Sequence, residues 1–100
     1  MSKPVSITPI ARVDLENVSL YLITSFGLKI LENFLALYEA KIAVIAKHPQ
    51  RYPIINNKLK LRKAVLTKHS IILYRELPDK VEIISIFDTR QDPDKIDLLL

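Results

Sequence analysis

The sequence predicts an α+β domain with the element order β-α-α-β-β-β, in which a helical hairpin packs on a small antiparallel sheet and a short helix follows at the C-terminus. Two long segments repeat their apolar residues at helical spacing, and they are separated by the only glycine of the chain. The second half changes to alternating and continuously apolar runs, which are typical of strands. One hundred residues, 49% apolar and 26% charged, indicate a single globular domain over 1–100.

The first half predicts a short strand and the helical hairpin. Val5-Ser6-Ile7 alternates as a strand does, and Thr8-Pro9 supplies an N-cap hydroxyl followed by proline at the first helical position. This helix should end near Ser25, and the second should cover 28–47. Because Gly27 is a C-cap residue that joins them directly, we expect the two helices to pack as an antiparallel pair.

The second half predicts a loop over 48–57, punctuated by two prolines, and then three strands. In the first strand the period of two points Leu59, Leu61 and Val65 one way, and Lys63 interrupts this apolar face, so we expect the strand to be bulged or half-exposed. The opposite face then carries Lys58, Lys60, Arg62 and Ala64. The segments 70–77 and 81–87 are apolar enough for a central strand and its neighbour, and Asp92-Pro93 opens the last short helix.

The positive charge of the chain is concentrated in one short block. Counting Lys and Arg minus Asp and Glu gives 6 − 4 = +2 for 1–57, 6 − 0 = +6 for 58–75 and 3 − 7 = −4 for 76–100. The six cations of the block are Lys58, Lys60, Arg62, Lys63, Lys68 and Arg75. Such a local field attracts a polyanion or an acidic protein partner.

Several classes of protein are disfavoured by composition. The chain has no cysteine and only two histidines, so we expect neither a disulfide framework nor a metal site, and no cofactor. A single glycine rules out Gly-rich phosphate-binding loops. No apolar run approaches the roughly 20 residues that span a bilayer, and the N-terminus lacks a signal-peptide core, so we expect a cytoplasmic protein without a membrane partner.

Five segments, taken in order and with their spacing, resemble the RelE/ParE toxin superfamily over nearly the whole chain. They are Ala11-Arg12-Val13-Asp14-Leu15, His48-Pro49-Gln50-Arg51-Tyr52-Pro53, Leu61-Arg62-Lys63-Ala64-Val65, His69-Ser70-Ile71-Ile72-Leu73-Tyr74-Arg75 and Ile86-Phe87-Asp88-Thr89-Arg90-Gln91-Asp92-Pro93. The resemblance implies a toxin of a bacterial type II toxin–antitoxin pair, of the kind found in plasmid stabilisation systems, held in a hetero-oligomer by a cognate antitoxin. RelE-like members cleave mRNA in the ribosome, whereas ParE-like members poison DNA gyrase.

Departures from the RelE-like pattern favour the ParE-like branch. RelE-like toxins commonly carry an Arg three residues before the tyrosine that Tyr74 matches, and here that position is Ile71. They also carry a C-terminal Tyr or His, which this chain lacks after Arg90. Arg90 followed by Asp92-Pro93 is similar to the ParE-like pattern. The resemblance therefore implies a gyrase inhibitor rather than an enzyme, and no residue is assigned as catalytic.

Two alternatives remain open. One is a ribosome-dependent mRNA endonuclease with an atypical site, in which the cations would stabilise the phosphorane and His69 would be the acid or base. The other is a degenerate toxin that only binds its antitoxin.

The candidate residues follow from the basic block and from the resemblance. The target-binding candidates are Lys58, Lys60, Arg62, Lys63, Lys68, His69, Arg75 and Arg90. The antitoxin-binding candidates are Arg62, Leu98, Leu99 and Leu100. Structural roles compete with these: the lysines can protect a strand edge, Arg75 can pair with Glu76 or Glu82, and Arg90 can pair with Asp88 or Asp92. We expect Tyr74 to be a core residue.

Overall fold

The computed structural model of the chain describes residues 2–90, which form two helices and five strands. In chain order these are β1 (Val5–Ile7), α1 (Pro9–Phe26), α2 (Leu28–Lys47), β2 (Ile54–Asn56), β3 (Leu61–Thr67), β4 (Ser70–Glu76) and β5 (Val81–Asp88). The strands make one sheet in the order β1-β5-β4-β3-β2. The predicted α+β class is confirmed.

The sheet is mixed rather than wholly antiparallel. Successive strands from β2 to β5 pair antiparallel, whereas β1 lies parallel to β5. In the sequence, both helices and three strands separate β1 from β5. A long connection of this kind allows two strands of one sheet to run parallel. Local alternation predicts β1 as a strand, but it does not indicate which strand β1 pairs with or in which direction.

The helical hairpin lies almost where the sequence predicts it. Thr8 caps α1 through its hydroxyl, which accepts a hydrogen bond from the Ala11 backbone N–H at 3.0 Å. Gly27 joins the helices with φ 95° and ψ 174°, a conformation that is essentially restricted to glycine. The two helices are therefore forced to reverse direction at one residue.

The apolar face predicted for β3 is buried at Leu61 and exposed at Val65, and the register of the strand is irregular near Val65, so the half-exposed, bulged strand is confirmed. Ala64 and Leu66 are buried against the helices, whereas Val65 is 53% exposed and Leu59 lies at 49% exposure in the turn before the strand. Lys60 in that turn has φ 58°, so the extended strand begins only at Leu61. Both faces of the neighbouring β4 are apolar, and it is packing against the helices that decides which face of β3 becomes the core side.

Two further expectations concern the ends of the sheet. The predicted loop over 48–57 contains the three-residue strand β2, which pairs with β3 across an irregular register and is too short to show an alternation. The expected last helix at Asp92-Pro93 lies outside the described residues. Within residues 2–90 no helix is both long and apolar enough to cross a bilayer.

The core lies between the hairpin and the sheet. It is formed by apolar side chains of both helices and of β3, β4 and β5, among them Val18, Phe34, Ile45, Ile72 and Tyr74. A buried carboxylate fixes α1 to β5: one oxygen of Asp14 accepts hydrogen bonds from the Ser85 hydroxyl at 2.7 Å and from the Ile86 backbone N–H at 3.2 Å. These contacts hold β5 beside the hairpin.

Candidate functional site

The basic block of the sequence is divided between the two ends of the sheet. Lys58 and Lys60 lie in the β2–β3 turn, whereas Lys68 and His69 lie in the β3–β4 turn. Strand β3 separates them by seven residues, which corresponds to roughly 23 Å of extended chain. The candidates therefore do not converge on one compact pocket.

Arg62 holds the loop that precedes β2. Its Nη1 donates hydrogen bonds to the backbone carbonyl oxygens of Tyr52 at 2.7 Å and of Gln50 at 3.3 Å. The Tyr74 hydroxyl donates to the Pro49 carbonyl at 2.7 Å, and the Tyr52 and Tyr74 rings meet edge to face at 6.4 Å. Since these contacts fix the loop internally, Arg62 has a structural task whatever else it binds.

Tyr74 is a core residue, as the sequence predicts. It is fully buried, and burial raises the pKa of its phenol to about 12. At neutral pH the phenol is therefore neutral and its proton is directed at the Pro49 carbonyl. Tyr74 is not poised to act as a base.

Arg75 and Arg90 form ion pairs that the sequence predicted as alternatives to a binding role. Arg75 donates from Nε to Oε1 of Glu82 at 2.9 Å, across the β4–β5 ladder. Arg90 embraces Asp88 with two bonds, Nη2 to Oδ2 at 2.7 Å and Nε to Oδ1 at 3.1 Å. The Arg90 guanidinium also lies 5.0 Å from the centre of the Phe26 ring.

The Arg90–Asp88 pair is a strong one because the carboxylate is buried. Asp88 is 1% exposed, which opposes its ionisation, but hydrogen bonds from the side chain and backbone of Arg90 outweigh burial and lower the pKa of Asp88. The same bond raises the pKa of Arg90. Much of the charge of Arg90 is thus neutralised within the fold.

The lysines of the block differ from its arginines. The side chains of Lys58, Lys60, Lys63 and Lys68 make no hydrogen bond or ion pair to any other residue in 2–90. Lys58, Lys60 and Lys68 are exposed, and the half-buried Lys63 lies on the sheet face opposite the helices. These lysines are the cations that an external partner can reach without breaking an internal contact.

Lys68, His69 and Arg90 line a cleft at one end of the sheet. The cleft has a volume of about 280 Å³ and lies between α2 and the β3–β4 turn. Its apolar side is formed by Leu22, Ile30, Phe34 and Leu37. The turn is fixed because the His69 carbonyl accepts hydrogen bonds from the backbone N–H of Thr89 at 2.6 Å and from its hydroxyl at 3.0 Å.

Sequence reasoning missed the helix side of this cleft. Ile30 and Leu37 are 42% and 50% exposed, and their helical spacing matches that of the buried stripe of α2. The available signal was that α2 carries more apolar positions than one buried stripe needs. A cleft with cations on one side and apolar side chains on the other suits an acidic amphipathic segment.

Two sequence predictions concern the C-terminal antitoxin-binding candidates and metal binding rather than this cleft. Leu98, Leu99 and Leu100 lie beyond the described residues, so their predicted contact with an antitoxin stays a prediction. Across residues 2–90 no group of three histidine, cysteine or acidic side chains is placed to hold a metal ion.

Comparison with known proteins identifies the fold. No protein-family model and no curated protein matches the sequence. Among solved structures, a chain of the chromosomal ParDE toxin–antitoxin system of P. aeruginosa superposes with a TM-score of 0.73 at 12% identity, covering 87% of this chain and 96% of the other. The chain has the RelE/ParE toxin fold.

A second structure leads to the same fold. A chain of the RelBE2 toxin–antitoxin complex of Mycobacterium tuberculosis superposes with a TM-score of 0.63 at 21% identity, covering 88% of this chain and 99% of the other. The RelE/ParE-like fold predicted from the five sequence segments is thereby confirmed. Because both identities are low, the likeness concerns the fold, and both branches of the superfamily are represented in it.

Proposed function

We propose that this chain is the toxin of a bacterial type II toxin–antitoxin pair. The observation that carries the proposal is the agreement of the fold with chains from two toxin–antitoxin complexes over nearly their whole length. The cleft between α2 and the β3–β4 turn, with its cations and apolar wall, supports a peptide-binding role of the kind that an antitoxin requires.

We further propose that the target is DNA gyrase, as in the ParE-like branch. Three features of the site argue against RNA cleavage. Ile71, in place of an arginine, belongs to an apolar cluster with Leu73 on the helix-free face of the sheet. Tyr74 keeps its proton at neutral pH, and Arg90 is neutralised by Asp88. A metal-free nuclease needs an acid, a base and free cations around one phosphate.

The RelE-like alternative has one observation in its favour. His69 lines the same cleft as Lys68 and Arg90, so an imidazole and two cations share one concave site. In that reading His69 would move a proton while Lys68 and Arg90 met the phosphate. Asp88 is close enough for the charge of His69 to help lower the pKa of the carboxyl, but both carboxylate oxygens are bonded to Arg90, so Asp88 is not dedicated to orienting the histidine.

Induced expression in a bacterial host separates the readings. A gyrase toxin should arrest growth and leave plasmid DNA relaxed or cleaved, while primer extension on translated mRNA shows no new 5′ ends. New 5′ ends in coding sequences with normal plasmid supercoiling would instead establish the endonuclease. Normal growth despite accumulation of folded protein would identify a degenerate toxin that only binds its antitoxin.

We propose that the antitoxin segment facing the cleft at Lys68, His69 and Arg90 carries carboxylates. Opposite charges across an interface strengthen association chiefly at low salt, because mobile ions screen exposed charges with a Debye length of about 10 Å at 0.1 M. The complex should therefore weaken as salt rises. Affinity that stays constant from 0.05 M to 1 M salt would remove the electrostatic contribution and leave the apolar wall of the cleft as the main contact.

A further inference from the structure

One edge of the sheet is built from a stretch of sequence without acidic residues. Between Glu39 and Glu76 the chain contains no Asp or Glu. This stretch supplies the end of α2 and all of β2, β3 and most of β4, and β2 and β3 form one edge of the sheet. The acids that follow it lie at the end of β4, in the next turn and along β5. The fold thus turns a run in the sequence into a basic edge in space.

The free cations of this stretch are mostly lysines. Arg62 and Arg75 are engaged by backbone carbonyls and by Glu82, whereas the side chains of Lys58, Lys60, Lys63 and Lys68 make no hydrogen bond or ion pair within residues 2–90. Arg51, in the loop before β2, is the exposed arginine among them. We call these four lysines the lysine edge. They lie on β3 and in the turns at its two ends, along roughly 23 Å of extended strand.

The turn that presents two of these lysines is a defined structure. The Asn56 side-chain oxygen accepts a hydrogen bond from the Leu59 backbone N–H at 3.0 Å, and Lys60 adopts φ 58°. A left-handed conformation is unfavourable for a non-glycine residue, because its Cβ approaches the following carbonyl oxygen. The chain therefore holds Lys58 and Lys60 outward in a fixed turn instead of a regular hairpin with Asn-Gly or Gly at its tip.

The choice of lysine over arginine indicates the class of ligand. Protein–protein interfaces are enriched in arginine and aromatic residues and depleted in lysine. Lysine ammonium groups are compact, hydrated point charges that pair with phosphates without requiring a fixed geometry. Unpaired lysines in a stretch of sequence without Asp or Glu therefore fit a nucleic-acid backbone better than an acidic protein surface.

We propose that the lysine edge binds the phosphate backbone of duplex DNA without reading its sequence. The inference rests on the proposed function for its setting, in which the toxin would contact the DNA that gyrase holds as well as the enzyme. Lys58 and Lys60 lie at one end of β3, Lys63 lies on its helix-free face and Lys68 lies in the turn at its other end, so each would meet a different phosphate. The cleft at Lys68, His69 and Arg90 remains the site for a peptide partner, and Lys68 lies between the two surfaces.

The test is DNA binding by the purified chain alone, measured by fluorescence anisotropy on a 20-base-pair duplex of arbitrary sequence. Four phosphate contacts predict a slope of about −3.6 for log affinity against log salt, which is a loss of roughly 100-fold between 50 and 200 mM salt. The double variant Lys58→Gln/Lys63→Gln should reduce the slope by about 2.

The matched control is Lys29→Gln/Lys80→Gln, which removes the same charge from the first turn of α2 and from the β4–β5 turn. It should leave the slope unchanged. Equal loss in both double variants would mean that net charge alone attracts DNA, and the lysine edge would be overturned. Absence of salt-dependent DNA binding, or clear preference for an RNA duplex of the same length, would also overturn it.

A gyrase assay on the same variants distinguishes failure of the DNA-binding proposal from failure of the proposed gyrase inhibition. Lys58→Gln/Lys63→Gln should lose potency against gyrase in proportion to its lost DNA affinity. Full inhibition by this variant would retain the proposed gyrase function and reject the role of the lysine edge. If the variant binds DNA-free gyrase more weakly and free DNA unchanged, the edge recognises an acidic protein surface and the DNA inference fails.

Discussion

Two neighbouring basic residues of β3 lie in different environments. Arg62 turns toward the helix side of the sheet, where its guanidinium bonds two loop carbonyls, and Lys63 projects from the other face without a partner in the described part of the chain. Both belong to the same basic run, and strand alternation alone assigns them to different environments. Their substitution should therefore separate stability from partner binding.

Replacing Arg62 by Gln should destabilise the protein by about 1.5–3 kcal/mol, because hydrogen bonds from a charged donor to the Gln50 and Tyr52 carbonyls are lost. Lys63→Gln is the matched control and should stay within about 0.5 kcal/mol of the parent. Urea unfolding measures both free energies. Equal stabilities for the two variants would contradict the structural role of Arg62.

Tyr74 predicts a characteristic dependence on alkaline pH. Its pKa is raised from 10 to about 12, so the stabilisation that comes from the neutral buried phenol is complete below pH 10 and is lost as pH rises toward 12. Tyr74→Phe should lower stability at neutral pH by about 1 kcal/mol, through loss of the bond to the Pro49 carbonyl, and should flatten the decline between pH 10 and 12.

Tyr38→Phe is the comparison for this prediction. Burial also raises the pKa of Tyr38, but its hydroxyl makes no hydrogen bond within residues 2–90. This variant should flatten part of the alkaline decline without a loss at neutral pH. An unchanged alkaline profile in Tyr74→Phe would show that the Tyr74 phenol is not held neutral by the fold.

At the scale of elements, the helical hairpin depends on one glycine. Gly27 has φ 95° and ψ 174°, and a methyl group added there would meet no atom within 4 Å. Gly27→Ala should therefore cost about 1–3 kcal/mol through backbone strain alone. Gly27→Asn should cost a similar amount, because asparagine tolerates the left-handed helical region but not this one. Thermal unfolding measures the loss of stability in both variants. Unchanged stability would mean that the backbone at the hairpin junction relaxes to accommodate the new side chain.

The elements differ in how well the sequence predicts them. The helix ends at Thr8, Gly27 and Lys47 are marked by local chemistry, and the structure places them within a residue of the prediction. The face of β3 and the existence of β2 depend on what packs against them, and no local pattern encodes that. The pairs Arg75–Glu82 and Arg90–Asp88 were predictable because strand register or a spacing of two residues brings the charges together.

At the scale of the whole molecule, the order of segments predicted the fold, whereas the distribution of charge did not predict the site. The basic block is one run in the sequence, but folding engages its arginines internally, leaves its lysines on one edge and brings Lys68 and His69 to a cleft with Arg90. The apolar wall of that cleft comes from helix positions about 30 residues earlier, which only the tertiary fold reveals.

The most direct test of the account is a gyrase assay with the purified chain, freed from any antitoxin and shown to be folded. Titrated into a supercoiling and cleavage reaction, it should abolish supercoiling or trap cleaved DNA, with Lys29→Gln/Lys80→Gln as active as the parent. Undiminished supercoiling and no cleaved DNA at saturating concentrations of folded protein would contradict the proposal that this RelE/ParE-like fold acts on gyrase.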